Sequence, residues 1–187
     1  MKKQIITLLM VMATTFTVNA QQTVSGVKVD AKLALDGQNL VLNGAGTREK
    51  MWIDLYVGSL YLPKKSSSAK DIIDSKDAAA IKLNIISGMI TSDKMISAIN
   101  EGFENSTNKN TAALKAKIDK FKGFFKDEIK KGDAFVIMNV PSEGVVVYKN
   151  GAKKGTIDGH DFKKALFGIW LSDKPADKDL KDGMLGK

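Results

Sequence analysis

The sequence contains no cysteine and a single histidine, His160. A chain without cysteine has no disulfide, no thiolate nucleophile and no thiolate ligand for a metal. Zinc sites built from histidine and cysteine are therefore excluded, and we predict neither a metal nor a cofactor. Because His160 stands close to Asp158 and Asp161, we expect it to form a surface cap or ion pair rather than to take part in catalysis.

Arginine is almost as scarce, since only one of the 29 basic side chains is an arginine, Arg48. The guanidinium group differs from an ammonium in its flat fork of five donors, which binds a carboxylate through two parallel hydrogen bonds and stays charged when buried. Arg48 is therefore a candidate ligand-binding residue. An ordinary surface or ion-pairing arginine in a lysine-rich chain is the alternative, and composition alone leaves both open.

The charge pattern has no block of like charge, although the formal net charge is +8. The lysines are spread among acidic residues, and no aromatic residues are interleaved with them as in many nucleic-acid-binding segments. We therefore predict no nucleic-acid partner, and we interpret most lysines as solvated surface.

No apolar run is long enough to span a bilayer, which takes roughly 20 residues. The apolar segment Ile5–Phe16 follows Met1-Lys2-Lys3 and precedes the small residues Val18-Asn19-Ala20, the pattern of a cleavable signal peptide. We predict a signal peptide over residues 1–20 and one domain over 21–187, exported to the periplasm or secreted by a bacterium. No membrane span remains after cleavage, and without cysteine no lipoprotein anchor is available.

Alternating apolar residues predict two or three short strands over Val24–Leu42, around the hairpin signal Asp36-Gly37. The glycine-containing segment Asn43–Arg48 then predicts a turn. It leads into a long apolar and aromatic strand over Met51–Leu62, with a bend expected at Gly58-Ser59. On this strand Trp52 and Tyr56 would share a face, either as an aromatic core pair or beside a ligand.

The rest of the chain adds helices and a second hairpin. Apolar residues at helical spacing predict two successive amphipathic helices, the first capped by Ser92. The order of elements indicates an α+β fold in which helices face an antiparallel sheet. The predicted elements are helices over 69–75, 92–104, 114–125, 161–171 and 176–185 and strands over 78–87, 135–140 and 144–149, with a hairpin at Asn150-Gly151.

Two segments resemble a known family: Asn43-Gly44-Ala45-Gly46-Thr47-Arg48 with the following strand, and Ala165–Leu171 with Asp173–Leu180. Together they resemble the chalcone isomerase-like superfamily, whose members include flavonoid-forming isomerases and fatty-acid-binding proteins. The resemblance implies an open-faced β-sandwich, a large antiparallel sheet covered on one face by helices. It also implies a ligand cleft between the sheet and the helices.

The resemblance assigns five candidate ligand-binding residues. Arg48 matches the family's arginine that faces the anionic oxygen of the ligand, and Asn100 can supply the asparagine of the middle helix. The catalytic threonine is replaced by Tyr56, the ligand-contacting threonine or serine by Ile169, and Trp170 follows it. The tyrosine of the middle helix has no counterpart, so much of the hydroxyl network that an isomerase uses to stabilise an enolate is missing.

The leading hypothesis is therefore an exported binding protein for a fatty acid or similar anionic amphiphile, with the carboxylate on Arg48 and the tail along apolar walls. One alternative is an isomerase or lyase that acts on a phenolic or enone compound. Another is a structural or partner-binding protein whose own side chains fill the cleft. The sequence names no protein partner.

Overall fold

The computed structural model describes residues 22–187, so the predicted signal peptide and its cleavage site lie outside the described residues. Five α-helices, a short 3₁₀ helix at Ala112–Leu114 and nine strands occur in the described part. The helices are α1 Ala69–Asp74, α2 Ser92–Ser106, α3 Lys115–Gly123, α4 His160–Leu171 and α5 Lys178–Met184. The strands are β1 Gln22–Val24, β2 Val27–Val29, β3 Lys32–Leu35, β4 Gln38–Lys50, β5 Ile53–Leu62, β6 Ala79–Ile85, β7 Ala134–Val140, β8 Gly144–Lys149 and β9 Ala152–Ile157.

Strands β3 to β9 form one antiparallel sheet in chain order, and β1 pairs with β2 in a small separate sheet. The predicted hairpins are confirmed: Asp36-Gly37 connects β3 to β4, and Asn150-Gly151 connects β8 to β9. Both residues of each turn have positive φ, which asparagine, aspartate and glycine tolerate better than other residues. With helices packed on the sheet, this architecture confirms the predicted α+β fold.

One face of the sheet is covered by helices, and five phenylalanines join them to it. Ring centroids lie 5.5 Å apart between Phe103 of α2 and Phe162 of α4, and 4.9 Å apart between Phe125, which follows α3, and Phe135 of β7. Phe121 of α3 contacts three of these rings. Burying each such side chain contributes roughly 1.5–3 kcal/mol, so this cluster is a main source of stability.

The opposite face is also buried, which the prediction of an open face did not include. Residues of β4 to β8 that alternate with the helix-facing ones form a second cluster, and the β1–β2 hairpin packs against it. The sheet is curled, and this brings the Tyr148 hydroxyl on β8 close enough to donate to the Asp36 carboxylate at the β3–β4 turn. Burial and this carboxylate raise the pKa of Tyr148 to about 12.

The prediction of a turn over Asn43–Arg48 is wrong, since these residues lie within the 13-residue strand β4. Their glycines serve the packing of α5 directly onto the strand. A Cβ added to Gly46 would lie 3.1 Å from the Leu180 Cα, and one at Gly44 would collide with the Gly183 carbonyl. The backbone of α5 therefore approaches β4 more closely than any side chain on the strand would permit.

The strand predicted to begin at Met51 begins at Ile53 instead, and Met51-Trp52 is the turn between β4 and β5. The bend predicted at Gly58-Ser59 is also wrong, because β5 pairs without interruption on both sides of these residues. Gly58 lies beneath the Leu180 and Met184 side chains of α5, so its missing side chain again makes room for that helix.

The cap predicted at Ser92 is wrong by one residue: Ser92 is the first residue of α2, and the helix is capped by Thr91, whose hydroxyl accepts from the Lys94 amide. The Ser92 hydroxyl donates to the Phe125 carbonyl and so ties α2 to the chain after α3. In the range 22–187 no helix is long and apolar enough to cross a membrane.

Lys163 of α4 is completely buried. Its ammonium donates to the carbonyls of Ile72, Ile73 and Ser75 at 2.5, 2.9 and 2.8 Å, and so caps the C-terminus of α1. It also lies 4.8 Å from the centroid of the Phe167 ring. Burial lowers the pKa of Lys163 to about 8.

Candidate functional site

A cavity of about 560 Å³ opens between the β4–β5 hairpin, β6 and helices α2 and α4. Its volume falls within the range of roughly 300–1,000 Å³ that is usual for small-molecule sites. The inner walls are apolar, and the side chains that form them are Leu55, Leu83, Ile90, Met95, Ile99 and Ile169. The cleft expected between sheet and helices is therefore present, and the protein's own side chains do not fill it.

Strand pairing brings Arg48 and Tyr56 together at one wall of this cavity. They are direct partners in the β4–β5 ladder, and the Arg48 guanidinium carbon lies 5.9 Å from the centroid of the Tyr56 ring. The ladder shifts register immediately after this pair, so that β5 has one extra residue, Leu55. Because of this bulge, Leu55 and Tyr56 both line the cavity although they are consecutive.

The Arg48 side chain has no anionic partner in the described part of the chain. Its Nε atom is buried and makes no hydrogen bond, and none of the ion pairs between residues 22 and 187 includes Arg48. A buried donor without an acceptor costs about 1–3 kcal/mol, and more when it is charged. An anion bound in the cavity would remove this cost.

The Tyr56 hydroxyl is oriented by Trp170 of α4. The indole Nε1 donates to the Tyr56 oxygen at 3.0 Å, and both side chains are buried. Since an indole N–H only donates, the tyrosine oxygen is the acceptor in this bond, and its own proton remains available for another acceptor. Arg48 and Tyr56 thus place a cation and a neutral donor side by side on an apolar wall.

Charged residues surround the mouth of the cavity. Lys50 and Lys94 lie there together with the acidic residues Asp93 and Glu101, and all four are exposed. Exposed charges of this kind are screened by water and salt. The half-buried Arg48 is therefore the cation that acts most strongly on a ligand inside.

The structure brings four of the five predicted residues to the cavity wall: Arg48, Tyr56, Ile169 and Trp170. Asn100 does not join them, because α2 turns this residue outward, where it is exposed and outside the cavity lining. Ligand binding by the four residues stays a prediction, and Asn100 has no place in the site.

Two other expectations concern residues near the site. Trp52 does not share a face of a strand with Tyr56, since it lies in the hairpin turn and is 94 % exposed. His160 is the first residue of α4 and does not line the cavity. Clusters of acidic and histidine side chains that could hold a metal are absent from the described range.

Sequence reasoning missed several lining residues. Met95 and Ile99 belong to the apolar stripe of α2, which we interpreted as core. They pack into the core and also line the cavity. Met89 and Ile90 precede α2 in a segment with no regular period, so no pattern could have placed them.

A comparison with family models matches residues 21–186 to the chalcone isomerase-like family. The chain belongs to this family. The chalcone isomerase-like fold is also found in a solved structure of a fatty-acid-binding protein from Arabidopsis thaliana, with a TM-score of 0.67 and 17% sequence identity over 86% of this chain and 92% of that one. A search of curated proteins finds no match. At this identity the structural likeness shows the fold alone.

Proposed function

We propose that this protein binds a fatty acid or a similar single-chain anionic amphiphile in the cavity between sheet and helices. The observation that carries the proposal is the half-buried Arg48 guanidinium, which has no anionic partner between residues 22 and 187 and lies on the wall of an apolar cavity. A positive charge kept in such a place is stabilised by an anion from outside the chain.

The carboxylate of the ligand would lie against Arg48 and Tyr56. The guanidinium supplies two parallel donors, and the tyrosine hydroxyl, whose oxygen is occupied by Trp170, supplies a third. The tail would run along the apolar wall that Leu83, Met95 and Ile99 provide. The fatty-acid-binding protein that shares this fold supports a ligand of this class.

The cavity favours binding over isomerisation. Ile169 provides no hydroxyl where the family resemblance puts a threonine or serine, and α2 contains no tyrosine. A single tyrosine hydroxyl held by an indole can bind an oxygen, but the hydroxyl network that stabilises an enolate takes more than one group. A self-filled cleft is not favoured either, because the cavity is open.

We also propose that the protein is exported. The proposal rests on the positive residues Lys2 and Lys3, the short apolar segment Ile5–Phe16 and the small residues before Gln21. A binding site for amphiphiles in an exported protein would act on lipids or fatty acids outside the cytoplasm.

We call the proposed binding of the ligand carboxylate by the Arg48 guanidinium the clamp. It is tested by measuring the affinity for palmitate and for its matched alcohol, hexadecanol, in wild type, Arg48→Lys and Arg48→Ala by fluorescent displacement. A hydrogen bond to a charged group contributes roughly 1.5–3 kcal/mol, so Arg48→Ala should bind palmitate about 10- to 150-fold more weakly. Arg48→Lys should recover only part of this loss, because an ammonium cannot form two parallel bonds. Hexadecanol affinity should barely change in either variant.

Lys50→Ala is the matched control, since it removes an exposed cation at the cavity mouth and should change palmitate affinity less than about threefold. Circular dichroism checks that all variants are folded. Equal palmitate affinity in wild type and both Arg48 variants would refute the clamp, and so would an equal loss for palmitate and hexadecanol.

A further inference from the structure

Large apolar side chains that remain exposed among residues 22–187 all lie at one place, the mouth of the cavity. We call this group the mouth patch: Met51, Trp52, Ile53 and Met89, with exposed fractions of 80%, 94%, 39% and 49%. Three of the four also line the cavity, and Trp52 projects beyond it. Scattered exposed apolar residues are ordinary, but a set confined to the entrance of a binding site indicates a surface that contacts something apolar.

The turn that carries the patch departs from the other two-residue hairpin turns of the chain. Ser25-Gly26, Asp36-Gly37 and Asn150-Gly151 each place a small polar residue and a glycine where φ is positive. At the cavity mouth, Met51 and Trp52 occupy the corresponding positions with φ of 52° and 66°. A left-handed backbone is unfavourable for residues with a large side chain, so neither turn geometry nor folding accounts for this pair.

From this position and composition we propose that the mouth patch docks onto the surface of an anionic phospholipid bilayer, so that an amphiphile passes between bilayer and cavity without crossing water. The inference rests on the proposed function, because a fatty acid or similar amphiphile that enters the cavity comes from, or returns to, a bilayer. A tryptophan ring at a hairpin tip suits the headgroup region, where its apolar body and its N–H are both accommodated.

Charge favours an anionic surface over a neutral one. Lys50 and Lys94 flank the patch and can extend their ammonium groups to lipid phosphates while Met51 and Trp52 insert. Asp93 and Glu101 lie at the same mouth and oppose them, so attraction at the mouth is weak. The full sequence has a net charge of +8, and the exported form without Lys2 and Lys3 keeps +6, which adds a long-range contribution that salt would screen.

A protein partner fits this surface less well. A stable protein interface involves about 20–30 residues on each side, whereas the mouth patch has four and is surrounded by exposed charged side chains. Shallow insertion of a few apolar side chains is sufficient for reversible attachment to a bilayer.

The test uses protein purified after expression of the full chain and two kinds of vesicle, phosphatidylcholine alone and phosphatidylcholine with phosphatidylglycerol at 7:3. Wild type should float with the anionic vesicles, and less so at high salt. Trp52→Gly removes a side chain that does not line the cavity and restores a favourable turn residue, so it should partition at least about tenfold more weakly. Trp52→Phe should retain most of the binding. Brominated lipids should quench the fluorescence of Trp52. Its signal is the difference between wild type and Trp52→Gly, because the variant keeps only the buried Trp170.

The same preparations are titrated with palmitate, which separates the two proposals. Palmitate binding without vesicle binding, or equal partition of wild type and Trp52→Gly, would overturn the docking proposal and leave the ligand proposal standing. Vesicle binding that depends on Trp52 but occurs without palmitate binding would support docking and refute the proposed cargo. Unchanged palmitate affinity in Trp52→Gly together with lost vesicle binding is the expected result. Binding of a protein partner through Trp52 with no attachment to either vesicle would also refute docking.

Discussion

The buried ammonium of Lys163 should make the stability of this protein rise with pH in a range where most proteins gain little. Its pKa is about 8 in the folded protein, against an ordinary value of 10.5, because burial disfavours the charged form. Three backbone carbonyls at the end of α1 offset part of this cost. Below pH 8 both folded and unfolded states carry the proton, and the destabilisation is fully present.

Between pH 8 and pH 10 the unfolded state binds more protons than the folded state, so the free energy of unfolding increases with pH. For a pKa that falls from 10.5 to about 8, the increase over this interval is about 2 kcal/mol. Close to pH 10 the trend should reverse, since Tyr61 and Tyr148, with pKa values raised from 10 to about 12, ionise more readily once unfolded.

Urea unfolding of wild type, Lys163→Met and Lys164→Met at pH 7, 8, 9 and 10 measures this effect. Lys163→Met should lose the increase, because no group at that position titrates. Lys164→Met should keep most of it, since the Lys164 side chain is about half exposed and pairs with Asp74, and its charge lowers the pKa of Lys163 less than burial does. Parallel pH profiles for wild type and Lys163→Met would show that the fold tolerates a charged Lys163, and the reasoning would be wrong. If Lys163→Met does not fold, a flat wild-type profile between pH 8 and pH 9, where the tyrosines still contribute little, would refute it equally.

Two further predictions concern activity and processing. The protein should show no saturable, stereoselective conversion of chalcones to flavanones in a spectrophotometric assay. Positioned acid–base groups typically contribute about 100- to 10,000-fold, whereas Ile169 supplies no hydroxyl and α2 supplies no tyrosine. Measurable turnover would favour the isomerase alternative. N-terminal sequencing of the exported protein should begin at Gln21, and recovery of Met1 would disprove cleavage there.

Local signals in the sequence were sufficient wherever local chemistry decides the structure. The turns Asp36-Gly37 and Asn150-Gly151 were found because asparagine, aspartate and glycine tolerate positive φ. The apolar stripe of α2 placed Met95, Ile99 and Phe103 on its buried face. These features depend on residues at most four apart, so a single sequence contains what is needed.

Long-range packing explains the main error. Gly44 and Gly46 suggested a turn, but they are strand residues whose missing side chains admit the backbone of α5, more than 130 residues later in the chain. Closely spaced glycines are typical of a loop, but also of a strand that another backbone approaches closely. No local pattern distinguishes the two, and only the partner segment decides.

The arrangement of Arg48 and Tyr56 could not be predicted from local sequence patterns for a related reason. The family resemblance identified Arg48 and Tyr56 but put the arginine in a turn before the strand. Their actual relation, as direct partners on β4 and β5, follows from the register that the turn at Met51-Trp52 and the bulge at Leu55 set. The exposure of Asn100, by contrast, agrees with the apolar stripe of α2, because Met95, Ile99 and Phe103 face the core and Asn100 lies off that face; the error here came from the family resemblance.

The β4–β5 hairpin departs from ordinary sequence rules in three neighbouring places. It has large apolar residues in a left-handed turn, a bulge that turns Leu55 and Tyr56 to the same side, and a half-buried arginine with no anion among residues 22–187. The other two-residue hairpin turns of the sheet, Asp36-Gly37 and Asn150-Gly151, contain glycine. The turn and the unpaired arginine run against local preference, and all three features border a cavity with a half-buried cation inside and exposed apolar side chains at its mouth. Conflicts with local preference that cluster in this way are typical of functional sites. We therefore expect the function of this protein to depend on this hairpin more than on any other part of the sheet.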